Sequence, residues 1–307
     1  MSVKQIIIAV SATSIVSALP QLQPRQSAAD FCALKYDDRN AAWTFGGDNS
    51  ASKFLDKWLT DHTDVNWVNA MDQDTTLHGS VGISNLDCIT LDADNCPHPT
   101  TNICQRFTPP SLFHVRDAIA TIFDMTQLFL DGFRDNVALA SLSVTQIKND
   151  FTPAPAGGSI FGLLNGAGTI AAGLAAASPP LTGAATVLAG IFGILASIPS
   201  SGGIDNDPTA DMETFVKNTF VNVRSATSKF IKTVVAGSTD GLDPKSLPGA
   251  NVPGPNGETQ PIAAFFSGGK YLFNREAKNG VTPSLNGTVG PILDSAYKTM
   301  VCLTEIL

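Results

Sequence analysis

Hydrophobic residues recur at intervals of three and four positions over two long stretches of the chain. The first set is Leu112, Val115, Ile119, Ile122, Thr126, Phe129, Phe133, Ala140, Val144 and Ile147, and the second is Met212, Val216, Val223, Ala226, Phe230 and Val234. Because an α-helix has 3.6 residues per turn, this spacing places each set on one face of a helix. We predict two long amphipathic helices, over residues 112–147 and 212–234, packed antiparallel through these faces.

Residues typical of helix ends flank both predicted helices. Thr108 can cap the first helix, with Pro109 at its first position, where a missing amide hydrogen is tolerated. Asp207 or Thr209 can cap the second helix. Gly237 is expected to end it, because glycine readily adopts the left-handed conformation that follows many helices.

The chain between these helices carries no charged side chain from Phe151 to Ile204. It contains two apolar runs, residues 159–177 and 181–198, and the two prolines between them cannot continue a helix. We therefore predict a helical hairpin over residues 159–198, whose small side chains let helices pack closely. The candidate hairpin residues are Gly162, Gly166, Gly173, Leu174, Pro179, Pro180, Gly190 and Gly193.

Three interpretations of the hairpin are open. It is a buried part of a helical core, a sheltered element that later inserts into lipid, or a constitutive membrane anchor. Each arm approaches the roughly 20 residues that cross a bilayer. The flanking charges, Lys148, Asp150, Asp205 and Asp207, form no cationic cluster, which argues against a constitutive anchor.

The expected fold is mainly all-α: an elongated helical bundle with two long helices flanking the apolar, Gly/Ala-rich hairpin. A short helix is predicted behind the candidate caps Asn49 and Ser50, with Phe54, Trp58 and Leu59 at helical spacing. The predicted organisation is a signal peptide (1–18), a helical and cysteine-bearing loop region (19–107), the long helices with their hairpin (108–237), a Gly/Pro-rich loop (238–261) and a C-terminal helical segment packed on the bundle (262–307).

The N-terminal leader predicts export. Lys4 precedes an apolar run and small residues at Ser17 and Ala18, the pattern of a secretory signal peptide cleaved after residue 18. Thiols of exported proteins tend to form disulfides, so Cys32, Cys88, Cys96, Cys104 and Cys302 are disulfide candidates. Their spacing leaves the pairing open, and an odd number leaves one thiol over. Asn286, in an Asn-Gly-Thr sequence, is a candidate glycosylation site.

Two histidine-containing stretches are candidates for chemistry. His98 follows Cys96, but the spacing of the neighbouring cysteines matches no compact zinc site, so disulfides are favoured over a metal. Asp61, His62 and Asp64 lie together, although such a cluster near a helix end is more often a solvated surface. No catalytic, cofactor or metal motif is complete. The sequence therefore predicts no cofactor, metal or catalytic residue and favours a protein without enzymatic activity.

The formal net charge of −8, with no basic stripe, argues against nucleic acid as a partner. A lipid membrane or further copies of the chain are the expected partners.

The order of long amphipathic helix, uncharged hairpin and long amphipathic helix behind a secretion signal resembles the α-helical pore-forming toxins of the haemolysin BL and cytolysin A type. The leader and the following Leu-Pro-Gln-Leu-Gln-Pro-Arg-Gln are similar to exported, uncharacterised proteins of filamentous fungi. These resemblances imply a secreted toxin, effector or surface protein. We expect a secreted helical protein that acts on membranes through the hairpin; the alternative is a secreted globular protein or hydrolase with the hairpin in its core.

Overall fold

The computed structural model describes residues 27–62, 66–78, 88–91, 96–150, 182–197, 208–237, 242–250 and 258–273. This part of the chain is mainly helical and contains no strand, which confirms the mainly all-α class of the predicted fold. Its α-helices are α1 (Ala28–Cys32), α2 (Arg39–Thr44), α3 (Ala51–Asp61), α4 (Trp67–Gln73), α5 (Thr75–His78), α6 (Leu112–Asp150), α7 (Thr182–Ser197), α8 (Pro208–Ala236) and α9 (Pro261–Phe266).

Helices α6 and α8 are the two long helices and pack against each other. The predicted hydrophobic faces are buried wherever their side chains are described: Leu112, Val115, Ile119, Ile122, Thr126, Phe129, Phe133, Val223, Ala226, Phe230 and Val234. Gly237, with a φ of 68°, follows the end of α8 as predicted. These faces belong to one continuous hydrophobic core.

The start of α6 differs from the prediction. The helix begins at Leu112, and Pro109 lies in the preceding turn, where its carbonyl accepts a hydrogen bond from the Leu112 amide at 3.0 Å. The peptide bond between Thr108 and Pro109 is cis. Because Pro110 follows, Pro109 is disfavoured from the helical conformation. The placement of Pro109 at the first helical position was therefore wrong.

Helix α7 corresponds to the second arm of the predicted hairpin and contacts both α6 and α8. The rings of Phe129 in α6 and Phe192 in α7 meet edge to face, with their centroids 5.7 Å apart. A Cβ atom added to Gly190 would overlap the Phe230 ring, so this glycine permits the close approach of α7 to α8. Gly193, in contrast, faces open space.

The remaining candidate hairpin residues, Gly162, Gly166, Gly173, Leu174, Pro179 and Pro180, lie outside the described residues. Within the described part of the chain, no helix combines the length and hydrophobicity required to span a bilayer.

The shorter helices cover the remaining sides of the core. Ser50 caps α3 as predicted, because its hydroxyl accepts a hydrogen bond from the Lys53 amide at 3.3 Å. Trp67 of α4 is fully buried and donates its indole hydrogen to the Val234 carbonyl of α8 at 2.8 Å. A buried ion pair joins α4 to α6, with Arg116 Nη1 2.8 Å from Asp72 Oδ1.

Two disulfides join Cys32 to Cys104 and Cys88 to Cys96. They confirm the prediction of disulfide bonds among these cysteines. Such bonds are typical of an oxidising compartment. Cys302 lies outside the described residues.

Candidate functional site

A cavity of about 700 Å³ lies beside the first half of α6. Its volume falls within the roughly 300–1,000 Å³ typical of small-molecule sites. The residues around it are Cys32, Leu34, Lys35, Tyr36, His98, Pro99, Thr100, Thr101, Phe113, Asp117, Thr121, Asp124, Met125, Leu128 and Phe273.

One wall of the cavity is a single face of α6. Phe113, Asp117, Thr121, Asp124 and Leu128 follow each other at steps of three and four, so they lie along the same side of the helix. At 1.5 Å per residue, this wall is about 22 Å long. The cavity is therefore suited to an elongated molecule.

The rest of the lining comes mainly from two segments, residues 32–36 and 98–101, which together form the loop wall of the cavity. Residues 32–36 start at the last residue of the short helix α1, whose first turn contains a capping box in which Ser27 and Asp30 exchange hydrogen bonds. Residues 98–101 lead into a 3₁₀ turn, Thr101–Arg106. The disulfide between Cys32 and Cys104 links the first segment to the 3₁₀ turn that continues the second, and the one between Cys88 and Cys96 closes the loop just before His98.

His98 connects this wall to α6 through two carboxylates. Its Nδ1 atom lies 2.6 Å from Asp117 Oδ1, and its Nε2 atom lies 3.0 Å from Asp124 Oδ2. Burial of the ring by itself disfavours the charged form, but the hydrogen bonds and charges of the two carboxylates outweigh it and raise the pKa of His98 to about 9. At neutral pH, His98 is therefore a cation that donates from both ring nitrogens.

A second polar pair lies beneath the cavity. Tyr36 Oη is 3.2 Å from His114 Nδ1. Burial, followed by the negative charge of Asp117, raises the pKa of the Tyr36 phenol. Burial also lowers the pKa of His114 to about 4, although the charge of Asp117 opposes this shift. Both side chains are therefore neutral at physiological pH, in contrast to His98.

The geometry around His98 does not match acid–base catalysis. A histidine that acts as a general base needs one nitrogen free to face the group whose proton it takes. Both nitrogens of His98 are bound to carboxylates, and its raised pKa keeps the ring protonated. The arrangement instead fixes the loop to α6 and places charges inside a mostly apolar cavity.

The sequence pattern pointed to His98 only as an alternative metal ligand, and it did not point to Asp117, Asp124 or Tyr36. A usable signal was present, because the two acids are seven residues apart within a predicted helix and therefore share a face. Among the described residues, no group of three or more metal-binding side chains has a geometry that fits a metal ion.

The described residues of the other predicted histidine stretch, Asp61 and His62, do not line the cavity. His62 stacks on Trp58, with the ring centroids 3.7 Å apart, and its Nδ1 atom lies 2.9 Å from the Trp58 carbonyl oxygen. Asp64 and Asn286 lie outside the described residues. Comparison of the chain with protein-family models, curated proteins and solved structures gives no significant match.

Proposed function

We propose that this protein is an exported helical protein that binds a small amphipathic molecule in the cavity beside α6. The observation that carries the proposal is the cavity itself, which combines suitable volume with apolar walls and a small set of fixed polar groups. Leu34, Phe113, Met125, Leu128 and Phe273 supply apolar surface for the body of the ligand. The polar side chains of Asp117, Asp124 and His98 supply the contacts that would orient the ligand.

The surrounding structure favours a site that is formed before the ligand arrives. The two disulfides hold the loop wall, and His98 fixes it to α6 at two points. A preformed site spends less binding energy on ordering its own side chains and loops. This supports a binding role more directly than a catalytic one.

Titration calorimetry with a dodecyl-chain detergent below its micellar concentration tests the proposal. The informative variant is Leu128→Trp, because Leu128 is half-buried and lines the cavity, so the larger ring would occupy part of the space that a ligand needs. The matched control is Leu130→Trp on the same helix, since Leu130 is also half-buried but does not line the cavity. We expect binding to be lost in the first variant and kept in the second.

The proposal fails if the unmodified protein shows no binding to any amphipathic probe. It also fails if Leu128→Trp and Leu130→Trp bind as the unmodified protein does while the helical circular dichroism spectrum is preserved. Equal loss in both variants, with the fold preserved, would place the binding site elsewhere.

A second candidate function is action on membranes through the uncharged hairpin. The observation that favours it is that α7 carries no charged residue and is covered by α6 and α8, against which it packs. In this proposal α7 is sheltered until the helices separate at a lipid surface. The resemblance in organisation to α-helical pore-forming toxins supports the same idea.

A disulfide engineered between α6 and α7 tests this second function. The oxidised variant should release no dye from liposomes, whereas the reduced variant should release it. Because the reductant also acts on the native cystines, the unmodified protein with and without reductant is the control. Absence of dye release from the unmodified protein, over several lipid compositions and at acidic pH, would leave α7 with a structural role only.

Export itself is part of the proposal and has its own measurement. Mass spectrometry of the protein recovered from a secreting host should show a chain that begins after residue 18 and carries a glycan at Asn286. A chain that retains Lys4 would contradict cleavage of the leader.

A further inference from the structure

We propose that the Cys32–Cys104 disulfide is a redox switch: its reduction by a low-molecular-weight thiol opens the cavity and releases the bound ligand. This inference rests on the proposed binding function and adds its regulation. Two features of the structure support it: the unequal access to the two disulfides, and the way in which Cys32–Cys104 holds part of the loop wall.

The two disulfides differ in how a reductant can reach them. Cys32 is half-buried and lines the cavity, whose volume of about 700 Å³ admits small molecules. The other three bonded cysteines are at most 5% exposed and do not line it: Cys88, Cys96 and Cys104. Because a thiolate must reach a sulfur atom to exchange with it, the rate of exchange depends on access. Reduction should therefore begin at Cys32.

The reaction is thiol–disulfide exchange in two steps. A thiolate of the reductant attacks Cys32 Sγ, forms a mixed disulfide with it and displaces Cys104 as a thiolate, which takes a proton from water. A second thiolate attacks the reductant's sulfur in the mixed disulfide and releases Cys32, which is protonated in the same way. Two electrons thus pass to the protein, which ends with two thiols, and the reductant leaves as its own disulfide.

Reduction would remove the covalent link of residues 27–36 to the rest of the wall. This segment contains α1, a helix of five residues in which Phe31 alone is buried. Its noncovalent contacts include the Phe31 and Phe45 rings, with centroids 5.0 Å apart, and the hydrogen bond between Tyr36 and His114. A helix this short is not stable in water without tertiary contacts. Loss of the disulfide therefore favours movement of residues 32–36 away from the cavity.

The Cys88–Cys96 bond holds the wall in a different way. It joins two residues of one loop, with a sequence separation of only 8. The residues that follow this loop are also bound to α6, because the His98 ring contacts Asp117 and Asp124. Loss of Cys88–Cys96 would thus leave residues 98–101 fixed. Ligand binding should depend on the Cys32–Cys104 bond more than on this one.

The experiment follows the reduction of each bond by excess reduced glutathione. Samples of the full chain are quenched with an alkylating agent at intervals, and peptide mass spectrometry measures the labelling of each cysteine. We expect Cys32 and Cys104 to be labelled at least about tenfold faster than Cys88 and Cys96, because of the difference in access. Dodecyl maltoside below its micellar concentration should slow the first reaction and not the second, because a ligand in the cavity shields Cys32.

Two double variants test whether the same bond controls binding. Cys88→Ala/Cys96→Ala retains Cys32–Cys104, and glutathione should lower its affinity for dodecyl maltoside at least about tenfold, since the closed form of the wall becomes less populated. Cys32→Ala/Cys104→Ala is the matched control. Its affinity should be low from the start and should not change with glutathione. Titration calorimetry measures the affinities, and the helical circular dichroism spectrum shows that each variant keeps its fold.

The outcomes separate the switch from the binding function. If the oxidised protein binds no detergent, the proposed function fails and the switch fails with it. If detergent binds but the two disulfides are reduced at the same rate, or Cys88–Cys96 is reduced first, or neither reacts, the switch is refuted and the binding function stands. An unchanged affinity after selective reduction of Cys32–Cys104 refutes the switch as well.

Discussion

Two regions meet along α6 and are held together by different forces. Toward α7 and α8, the helix presents Phe129 and Phe133, which are buried in a continuous apolar core. Toward residues 32–36 and 98–101, it presents Asp117 and Asp124, which bind His98 beside a cavity. The first region is stabilised by close packing, and the second by disulfides and charge. The difference indicates that one helix serves both as structural support and as a wall of the cavity.

Among single substitutions, one in the apolar core should have the largest effect on the free energy of unfolding. Phe230 is fully buried and lies against Gly190 and the Phe265 ring. We expect Phe230→Ala to lower the free energy of unfolding by about 3–5 kcal/mol, because the lost ring leaves a cavity that the packed helices cannot fill. Urea unfolding followed by circular dichroism measures the change.

Val221→Ala on the same helix is the control, because Val221 is 53% exposed and should contribute little. A similar, small cost at both positions would mean that α8 is not packed through the face containing Phe230.

The core side was largely predictable from sequence, because helical periodicity depends on residues close together in the chain. The spacing of Val115, Ile119 and Ile122 predicted the buried face of α6, and Ser50 predicted the start of α3. The cavity was not predictable in the same way. His98 and Asp117 are 19 residues apart, and Tyr36 and His114 are 78 apart, so their contacts depend on how the loops fold back.

Cysteine spacing illustrates the same limit. The expected export predicted disulfides, but the spacing could not distinguish among the pairings, because a bond such as Cys32–Cys104, with a sequence separation of 72, depends on tertiary structure.

Among the contacts around the cavity, removal of the Cys32–Cys104 disulfide should lower the stability of the protein most. Replacing both Cys32 and Cys104 with Ala should lower the free energy of unfolding by about 2–4 kcal/mol, chiefly because the unfolded chain regains the freedom of a long loop. We also expect weaker ligand binding, since the bond joins two segments that line the cavity. Calorimetric unfolding and ligand titration measure the two effects.

Replacing Cys88 and Cys96 with Ala is the comparison for this variant, because that bond spans a sequence separation of only 8. If the short-range pair costs more stability than the long-range pair, loop entropy is not the main contribution of Cys32–Cys104.

The His98 cluster should make stability depend on alkaline pH. The pKa of His98 is about 9 in the folded protein and near 6.5 when unperturbed, so the folded state holds the proton more tightly. Its contribution is therefore complete below pH 6.5 and is lost as the pH rises through 9. This difference in the pKa of His98 corresponds to about 3 kcal/mol of folding stability. Urea unfolding at intervals between these pH values should show the decrease, and His98→Gln should remove most of it.

His114 should have the opposite dependence, on the acid side. Its pKa is about 4 in the folded protein and near 6.5 when unperturbed, so the unfolded chain takes up the proton first. Stability should therefore fall as the pH drops from 6.5 to 4, by up to about 3 kcal/mol. The measurement is the free energy of unfolding of the unmodified protein and of His114→Gln at each pH in this range. The difference between the two cancels the titration of other groups. A constant difference would show that His114 titrates normally in the folded state.

The smallest effect is expected at an exposed ion pair on the same helix. Arg134 Nη2 lies 3.2 Å from Asp131 Oδ1, but the two side chains are 61% and 57% exposed, so water and salt screen their attraction. Asp131→Ala should change the free energy of unfolding by less than about 1 kcal/mol. The same method applied to Asp117→Ala should give a clearly larger loss, because Asp117 binds the His98 ring in a far less exposed position. If the two substitutions cost the same, burial contributes nothing to the strength of the His98 cluster, and the loop wall of the cavity is held by its disulfides alone.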